Sequence, residues 1–316
     1  MTSLQQAIAL LNEGRPDEGV HALRQIASGG NPEALLVLAD MTWTGNVVDQ
    51  DPTRGRILFE YAAALGNGQA NAVATNLLAS GIAGKRDWPL ALKRLADEGP
   101  HAPQRRVAAE LIAAMDLDES GNPRTVPAPI ALSEAPYARL FERLFTADEC
   151  KHLINLVQPL FQPSMVYRAG RQAVRDTIRT SDGAPLHWLI EDPAVTALNR
   201  RIAAATATEY ERGEALQVLR YSPGQEYRPH FDFLEGVENP RPLTALVYLN
   251  EDYEGGETEF VQTGLKVRGH RGDMLVFRNS ANGDVRDPLA EHAGLPVTTG
   301  TKYLATRWIR ARRWTP

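Results

Sequence analysis

His230 and Asp232 stand two residues apart in the run QVLRYSPGQEYRPHFDF, residues 217–233. Side chains two apart on an extended strand point to the same face, so this pair can offer an imidazole nitrogen and a carboxylate oxygen to one metal ion. The pair alone says little, because a metal needs a third ligand. Of the seven histidines, His21 and His101 lie in a helical half, His152 and His187 in predicted helices, and His270 in the turn VRGHRGD. His292 remains, in EHAGLPV, after a turn and before the last strand. Two imidazoles and a carboxylate on one face of an ion leave coordination positions open for small ligands, which suits Fe(II) and dioxygen chemistry. Ten residues beyond His292, Lys302 sits in the strand-like GTKYLATRWIR, where a cation is needed only if a buried anion meets it. Lys302, Thr306 and Trp308 share one strand parity, so a hydroxyl and an indole flank the ammonium group. The same residues could instead form a hydrogen-bonded polar cluster, with Lys302 in a surface ion pair.

Short strands must carry these groups. From about residue 165 the chain holds runs rich in Val, Tyr, Phe, Thr and Leu between Gly, Pro, Asn and Asp turns, such as LTALVYLN (243–250), GGETEFV (255–261) and GDMLVF (272–277). This spacing predicts a β-sandwich or barrel. Ahead of it, Thr146 and Glu149 form a Thr-x-x-Glu capping box that opens a helix carrying CKHLINLVQPL. Cys150, the single cysteine, excludes an intrachain disulfide and a zinc–thiolate cluster and reads as a small buried residue near that helix start.

Residues 1 to about 115 are different in kind, rich in Ala and Leu at helical spacing. IASGGNPEALLVLADMTWTG (26–45) resembles AAALGNGQANAVATNLLASG (62–81), with Gly30 and Gly66 placed 36 residues apart, and a weaker third copy ends near Gly99. A period in the mid-thirties made of two helices predicts an α-solenoid, whose units bury their apolar faces against one another. The turn TG-x-x-V-x-x-D of Thr44, Gly45, Val48 and Asp51 makes residues 15–110 similar to Sel1-like repeats, relatives of the tetratricopeptide type. DLDESGNPRTVPAPIALSEAP (116–136) has the Pro, Gly, Ser and Asp content of a linker. The expected architecture is thus α+β and multidomain: a helical repeat domain over 1–115, a linker over 116–136, and a strand-rich domain over 137–316, with residues 135–316 expected to fold without the repeats.

The segments RYSPGQEYRPHFDF, YLNEDYEGGETEF, GDMLVF and HAGLPVTTGTKYLATRWIR together resemble Fe(II)- and 2-oxoglutarate-dependent dioxygenases of the prolyl 4-hydroxylase type, over about residues 137–312. The resemblance implies a double-stranded β-helix, or jelly roll, in which His230, Asp232 and His292 hold the iron. It also implies that Lys302 pairs with the distal carboxylate of 2-oxoglutarate, helped by Thr306, with Tyr221 and Tyr248 close to the cosubstrate. Arg241 and Trp308 are implied at the substrate side, and IRTSDGAPL (178–186) as a lid over the site. A lysine as carboxylate anchor makes the chain similar to the collagen-type enzymes rather than the hypoxia-sensing ones, which use arginine; the two cations differ in shape. Implied cofactors are Fe(II), 2-oxoglutarate and O2, with ascorbate as an accessory reductant.

The implied reaction hydroxylates an amino-acid residue, proline foremost, in a protein or peptide recruited by the helical repeats, and releases succinate and CO2. Two other readings stay open at this point: a hydroxylase of a free amino acid or other small molecule, and a repeat-based interaction protein with an inactive barrel. Composition narrows the partners. The net charge of −5 does not favour general attraction to nucleic acid, and the basic ending Arg307, Arg310, Arg312 and Arg313 reads as a solvated strand end. No run approaches the roughly twenty apolar residues of a membrane span. The N-terminal stretch MTSLQQAIALLNEGRPDEG lacks the basic region of a secretory signal, so a cytoplasmic protein is expected.

Overall fold

The computed structural model describes residues 3–164, 166–167, 173–174, 178–281 and 285–314. The chain forms two compact units: residues up to Ala109 with Trp188–Thr196, and Glu110–His187 with the chain from Ala197 onward.

The first unit is a run of helices: α1 (Leu4–Asn12), α2 (Pro16–Ser28), α3 (Pro32–Thr44), α4 (Pro52–Ala64), α5 (Gly68–Ser80), α6 (Trp88–Glu98) and α7, which begins at Pro103. The 36-residue repeat is visible in the atoms that end each helix. Asn31 and Asn67 cap α3 and α5 by accepting the backbone N–H of Ala34 and Ala70, and Asp51 and Asp87 do the same for α4 and α6. Gly45 and Gly81 close α3 and α5 at φ 77° and 78°, a left-handed conformation that costs glycine nothing. One feature was not expected. Residues Trp188–Thr196, inside the predicted strand-rich domain, pack with the helices. From Val73 to Ser80 every residue of α5 is buried, so this helix has no solvent face there. Among its polar groups, the Asn76 amide donates to the Leu189 carbonyl at 2.8 Å. Its Oδ1 accepts from Arg105 at 2.8 Å, and Arg105 in turn meets Glu98 at 2.5 Å. Glu98 also accepts from Asn71 and Thr75.

The second unit holds the strands. In chain order they are β1 (Ile130–Glu134), β2 (Tyr137–Phe141), β3 (Gln162–Pro163), β4 (Val166–Tyr167), β5 (Ala173–Val174), β6 (Asp182–Leu186), β7 (Leu216–Tyr221) and β8 (Tyr227–His230). There follow β9 (Leu243–Tyr248), β10 (Tyr253–Gly255), β11 (Thr258–Phe260), β12 (Leu265–Val267), β13 (Met274–Arg278), β14 (His292–Gly294), β15 (Val297–Gly300) and β16 (Lys302–Ile309). A large antiparallel sheet runs β1-β2-β13-β9-β16-β7-β6-β3, and a smaller one runs β12-β11-β14-β8. Leu219, Leu246, Leu275, Phe277 and Leu304 of the large sheet pack in one core with Phe260 and Val267 of the small one. This is the jelly roll that the resemblance implies, one form of the sandwich or barrel that the strand spacing predicts. Helix α8 (Ala147–Val157) opens with the expected box: Thr146 accepts from the Glu149 N–H, and the Glu149 carboxylate accepts from the Thr146 N–H. Glu149 is further anchored by Arg201 at 2.7 Å, on α9 (Pro193–Ala205), and Cys150 is fully buried.

Two stretches differ from their sequence-based reading. Ile130–Glu134, in the expected linker, is the edge strand β1, a short exposed run (IALSE) set directly after the Pro-rich TVPAP that reads as linker. In IRTSDGAPL, residues 178–180 join β8 through the bridge from Arg179 to Tyr227 and the backbone hydrogen bonds beside it, whereas Asp182–Leu186 is β6, paired over its whole length with β7. Five ladder residues leave that half no freedom to act as a lid, and the helix predicted around His187 is absent there, the residue following β6 directly.

Candidate active site

Pairing of β14 with β8 sets His292 directly opposite His230. Asp232, two residues beyond His230, brings a carboxylate to the same point, and one ligand atom from each of the three lies within 4.8 Å of the others. The Asp232 oxygens are 3.8 Å from His230 Nε2 and 3.7 Å from His292 Nε2. Both imidazoles are oriented through their other nitrogen: His230 Nδ1 is 2.8 Å from the Arg228 carbonyl, and His292 Nδ1 is 3.0 Å from the Ala290 carbonyl. A carbonyl oxygen only accepts, so each Nδ1 carries the proton and each Nε2 keeps its lone pair for a metal. The rings are also walled. Tyr227 stacks on His230 at 3.4 Å between centroids, and the Phe277 ring meets His292 edge-on at 4.7 Å.

The triad opens on a cleft. Lys302, Leu304, Thr306 and Trp308 of β16 all line it, the alternation expected of one strand face. Tyr221, Leu219 and Leu246 complete the wall with Arg179, Tyr227, Thr258 and Gly294. Lys302 is 2% exposed. Its Nζ donates to the Gly256 carbonyl at 2.6 Å and stands 5.5 Å and 5.7 Å from the rings of Tyr221 and Tyr248. The Gly255–Gly256 pair makes this approach possible: both residues have positive φ, and a Cβ on Gly255 would collide with the Pro296 carbonyl.

Comparison with known proteins agrees with this geometry. Residues 216–310 match the 2OG-Fe(II) oxygenase superfamily. Prolyl 4-hydroxylase 1 of Arabidopsis thaliana is 32% identical over 205 residues, which span 58% of this chain and 72% of the relative. Probable prolyl 4-hydroxylase 6 of the same plant is 34% identical over 206 residues, 57% of this chain and 71% of the relative. The chain belongs to the prolyl 4-hydroxylase family of 2-oxoglutarate- and Fe(II)-dependent oxygenases. Among solved structures, the 2-oxoglutarate complex of a viral collagen prolyl hydroxylase from Paramecium Bursaria Chlorella virus-1 aligns with 25% identity and a TM-score of 0.42, covering 58% of this chain and all of that one.

The electrostatics of the oxygenase's cleft fit the family's cofactors. Burial pushes His230 down to about 3, with His292 adding to the fall and Asp232 opposing it, so the ring stays neutral and able to ligate. Burial alone would raise Asp232, but the two histidines, Arg241 and a hydrogen bond from Thr244 hold it below the usual carboxylate range. Burial likewise pushes Lys302 down to about 8, against the pull of Glu257. Among the described residues Lys302 has no carboxylate within 4 Å, and the buried Thr306 hydroxyl has no partner at all. A buried cation and an unpaired hydroxyl on one wall are what a carboxylate of 2-oxoglutarate would satisfy, and a histidine–aspartate–histidine set with no thiolate suits Fe(II).

Of the sequence-predicted residues, His230, Asp232, His292, Tyr221, Lys302, Thr306 and Trp308 meet at this cleft. Tyr248 and Arg241 do not line it. Tyr248 is fully buried behind Lys302, its hydroxyl donating to the Val267 carbonyl at 3.3 Å. Arg241 lies over the Trp308 ring at 4.0 Å and forks both oxygens of Glu214, at 2.5 Å and 2.7 Å. Tyr227, Arg179 and Thr258 escaped the sequence reading. Tyr227 is three residues from His230, an offset that strand parity does not place on one face. Arg179 reaches the cleft because it bridges to Tyr227 and its guanidinium covers that ring at 4.9 Å.

Proposed function

We propose that this oxygenase hydroxylates a prolyl residue in a protein or peptide, using Fe(II), 2-oxoglutarate and O2, with ascorbate as an accessory reductant. The observation that carries the reading is one cleft holding both the three-ligand set and the buried Lys302, which has no carboxylate within 4 Å among the described residues. The names of the relatives, prolyl 4-hydroxylases, supply the substrate class.

His230, Asp232 and His292 would hold the metal, and Lys302 with Thr306 the distal carboxylate of 2-oxoglutarate. When bound, the iron supplies the coupled reaction in which 2-oxoglutarate, O2 and a C–H bond become succinate, CO2 and an alcohol. The chain's own work is placement. The carbonyls of Arg228 and Ala290 keep both imidazoles in the ligating tautomer. Lys302 would draw one end of a dicarboxylate to its wall of the cleft, which the triad also lines. Tyr227 and the Phe277 edge exclude water from the histidines. Trp308, held under Arg241, offers a flat apolar wall to a pyrrolidine ring.

The helical unit, read as Sel1-like, would recruit the protein substrate. Ile57, Tyr61 and Leu65 support this: spaced as one face of α4, they are 49%, 60% and 50% exposed. The register of the flanking repeats puts His21, Gln25 and Gly29, or Lys93, Asp97 and His101, at the same positions. An apolar stripe in one repeat alone has no structural use in the solenoid.

The test incubates the oxygenase with Fe(II), 2-oxoglutarate and proline-containing peptides, and follows succinate and the peptide's mass. A gain of one oxygen on proline, absent under anaerobic conditions, is expected. Equal turnover stimulated by free proline, with unmodified peptides, would replace the peptide reading with a small-molecule one.

A further inference from the structure

Asp232 is not held by the metal site alone. Its Oδ2 accepts a hydrogen bond from Thr244 Oγ1 at 2.7 Å. A threonine hydroxyl has one proton, and a carboxylate can only accept, so the proton lies on this line. The remaining capacity of Oγ1 is to accept, and Asn279 Nδ2 donates to it at 2.8 Å. The second Nδ2 proton goes to the Arg241 carbonyl at 3.1 Å. That carbonyl decides which way round the amide sits. Reversed, Asn279 Oδ1 would face another oxygen, and it would also draw the Thr244 proton away from Asp232. The amide is fixed besides at its backbone, where the Asn279 N–H donates to the Pro242 carbonyl at 2.8 Å. Thr244 is 0% and Asn279 1% exposed, so water cannot substitute for either.

We infer that Asn279 is a positioning residue for the metal centre: it orients the Thr244 proton so that one Asp232 oxygen stays committed to the protein and the other is presented to the metal. Among the described residues Oδ1 accepts no hydrogen bond, which leaves it free for ligation. A carboxylate held in this way binds through one oxygen. Without the relay it can turn and take two positions, one of them needed by cosubstrate or O2. The sequence has no pattern that marks the pair: Thr244 and Asn279 are 35 residues apart and meet only because β13 lies beside β9.

This inference rests on the triad being a metal centre, and the experiment separates the two. Co(II) replaces Fe(II) and is titrated into the full chain under its visible absorption bands, with the metal-free melting temperature recorded for each variant. The unaltered oxygenase is expected to bind, and His230→Ala to lose the bands; a chain that binds no Co(II) would overturn the metal centre and the relay with it. Thr244→Val, nearly isosteric, is expected to weaken Co(II) about ten- to a hundredfold, the usual cost of removing an outer partner of a ligand, and Thr244→Ser to restore it. Asn279→Ala is expected to weaken Co(II) at least about fivefold and change the bands, yet to cost nothing further in the Thr244→Val background. If the Asn279 loss is the same in both backgrounds, the residue acts by general packing and the relay is wrong. Should Asn279→Ala fail to fold, Asn279→Ser enters the same cycle, and unchanged Co(II) affinity in Thr244→Val alone overturns the proposal.

Discussion

Replacing Lys302 by methionine should stabilise the empty oxygenase slightly while nearly abolishing its affinity for 2-oxoglutarate. The two effects have one cause. Burial moves the ammonium from its ordinary 10.5 to about 8, and at about 1.4 kcal/mol per tenfold this charge costs the ligand-free fold roughly 3 kcal/mol at neutral pH. Methionine removes that cost and keeps most of the volume. It also removes the bond to the Gly256 carbonyl, and leaving that oxygen unpaired costs about 1–3 kcal/mol. The net gain is therefore between zero and about 2 kcal/mol, a few degrees at most. With 2-oxoglutarate the sign reverses. A carboxylate brought against this wall without its cation loses about 3–5 kcal/mol, on the order of a hundredfold to several thousandfold in affinity. Thermal unfolding with and without saturating 2-oxoglutarate, in the presence of Mn(II) to prevent turnover, measures both. A variant that unfolds several degrees earlier when empty but keeps the full ligand-induced rise would refute the assignment of Lys302 as a charge waiting for an anion.

Other outcomes follow from the same residues. His230→Ala or Asp232→Ala should abolish succinate formation while the far-ultraviolet circular dichroism is unchanged, and full turnover in either purified variant would remove the triad from the chemistry. In the ligand-free protein, the unfolded chain holds the Lys302 proton more tightly than the native one, so from about pH 8 up to the ordinary 10.5 this residue adds stability as pH rises. The 2-oxoglutarate-induced rise in melting temperature should shrink over the same interval, and neither trend should survive in Lys302→Met. Thr306→Val should weaken 2-oxoglutarate about tenfold, the worth of one hydrogen bond to a charged group, as read by isothermal titration. Deleting residues 1–109 should yield a poorly folded product that binds a hydrophobic dye, because Trp188–Thr196 loses the helices it packs with; a cooperative unfolding transition in the truncated chain would restore the independent domain expected from composition.

Much of the site could be read from the sequence because its parts obey strand periodicity or a helix-cap rule. Lys302, Thr306 and Trp308 alternate on one strand, and Thr146 and Glu149 form the capping box that opens α8. Contacts made across strands followed no such rule. Tyr227 reaches His230 by ring stacking at an offset of three, and Thr244 meets Asp232 across a turn. Arg241 looked like a substrate residue because of its position, but its guanidinium is engaged by Glu214 and Trp308, which only the fold brings near. The segment after β6 was assigned to the strand domain by its place in the chain, and no local pattern marks the helices as its packing partners.

The bond from Asn76 to Leu189 joins residues 113 positions apart. During translation, at about 5–20 residues per second, roughly 6–23 s pass between the synthesis of Asn76 and that of Leu189. For that interval the amide of Asn76 lacks the carbonyl it meets in the finished fold, and the helical unit cannot reach its final state before the first part of the jelly roll has been made. The order of synthesis is therefore not the order of completion: the segment that finishes the N-terminal unit is made after the first strands of the jelly roll and before those that carry the site.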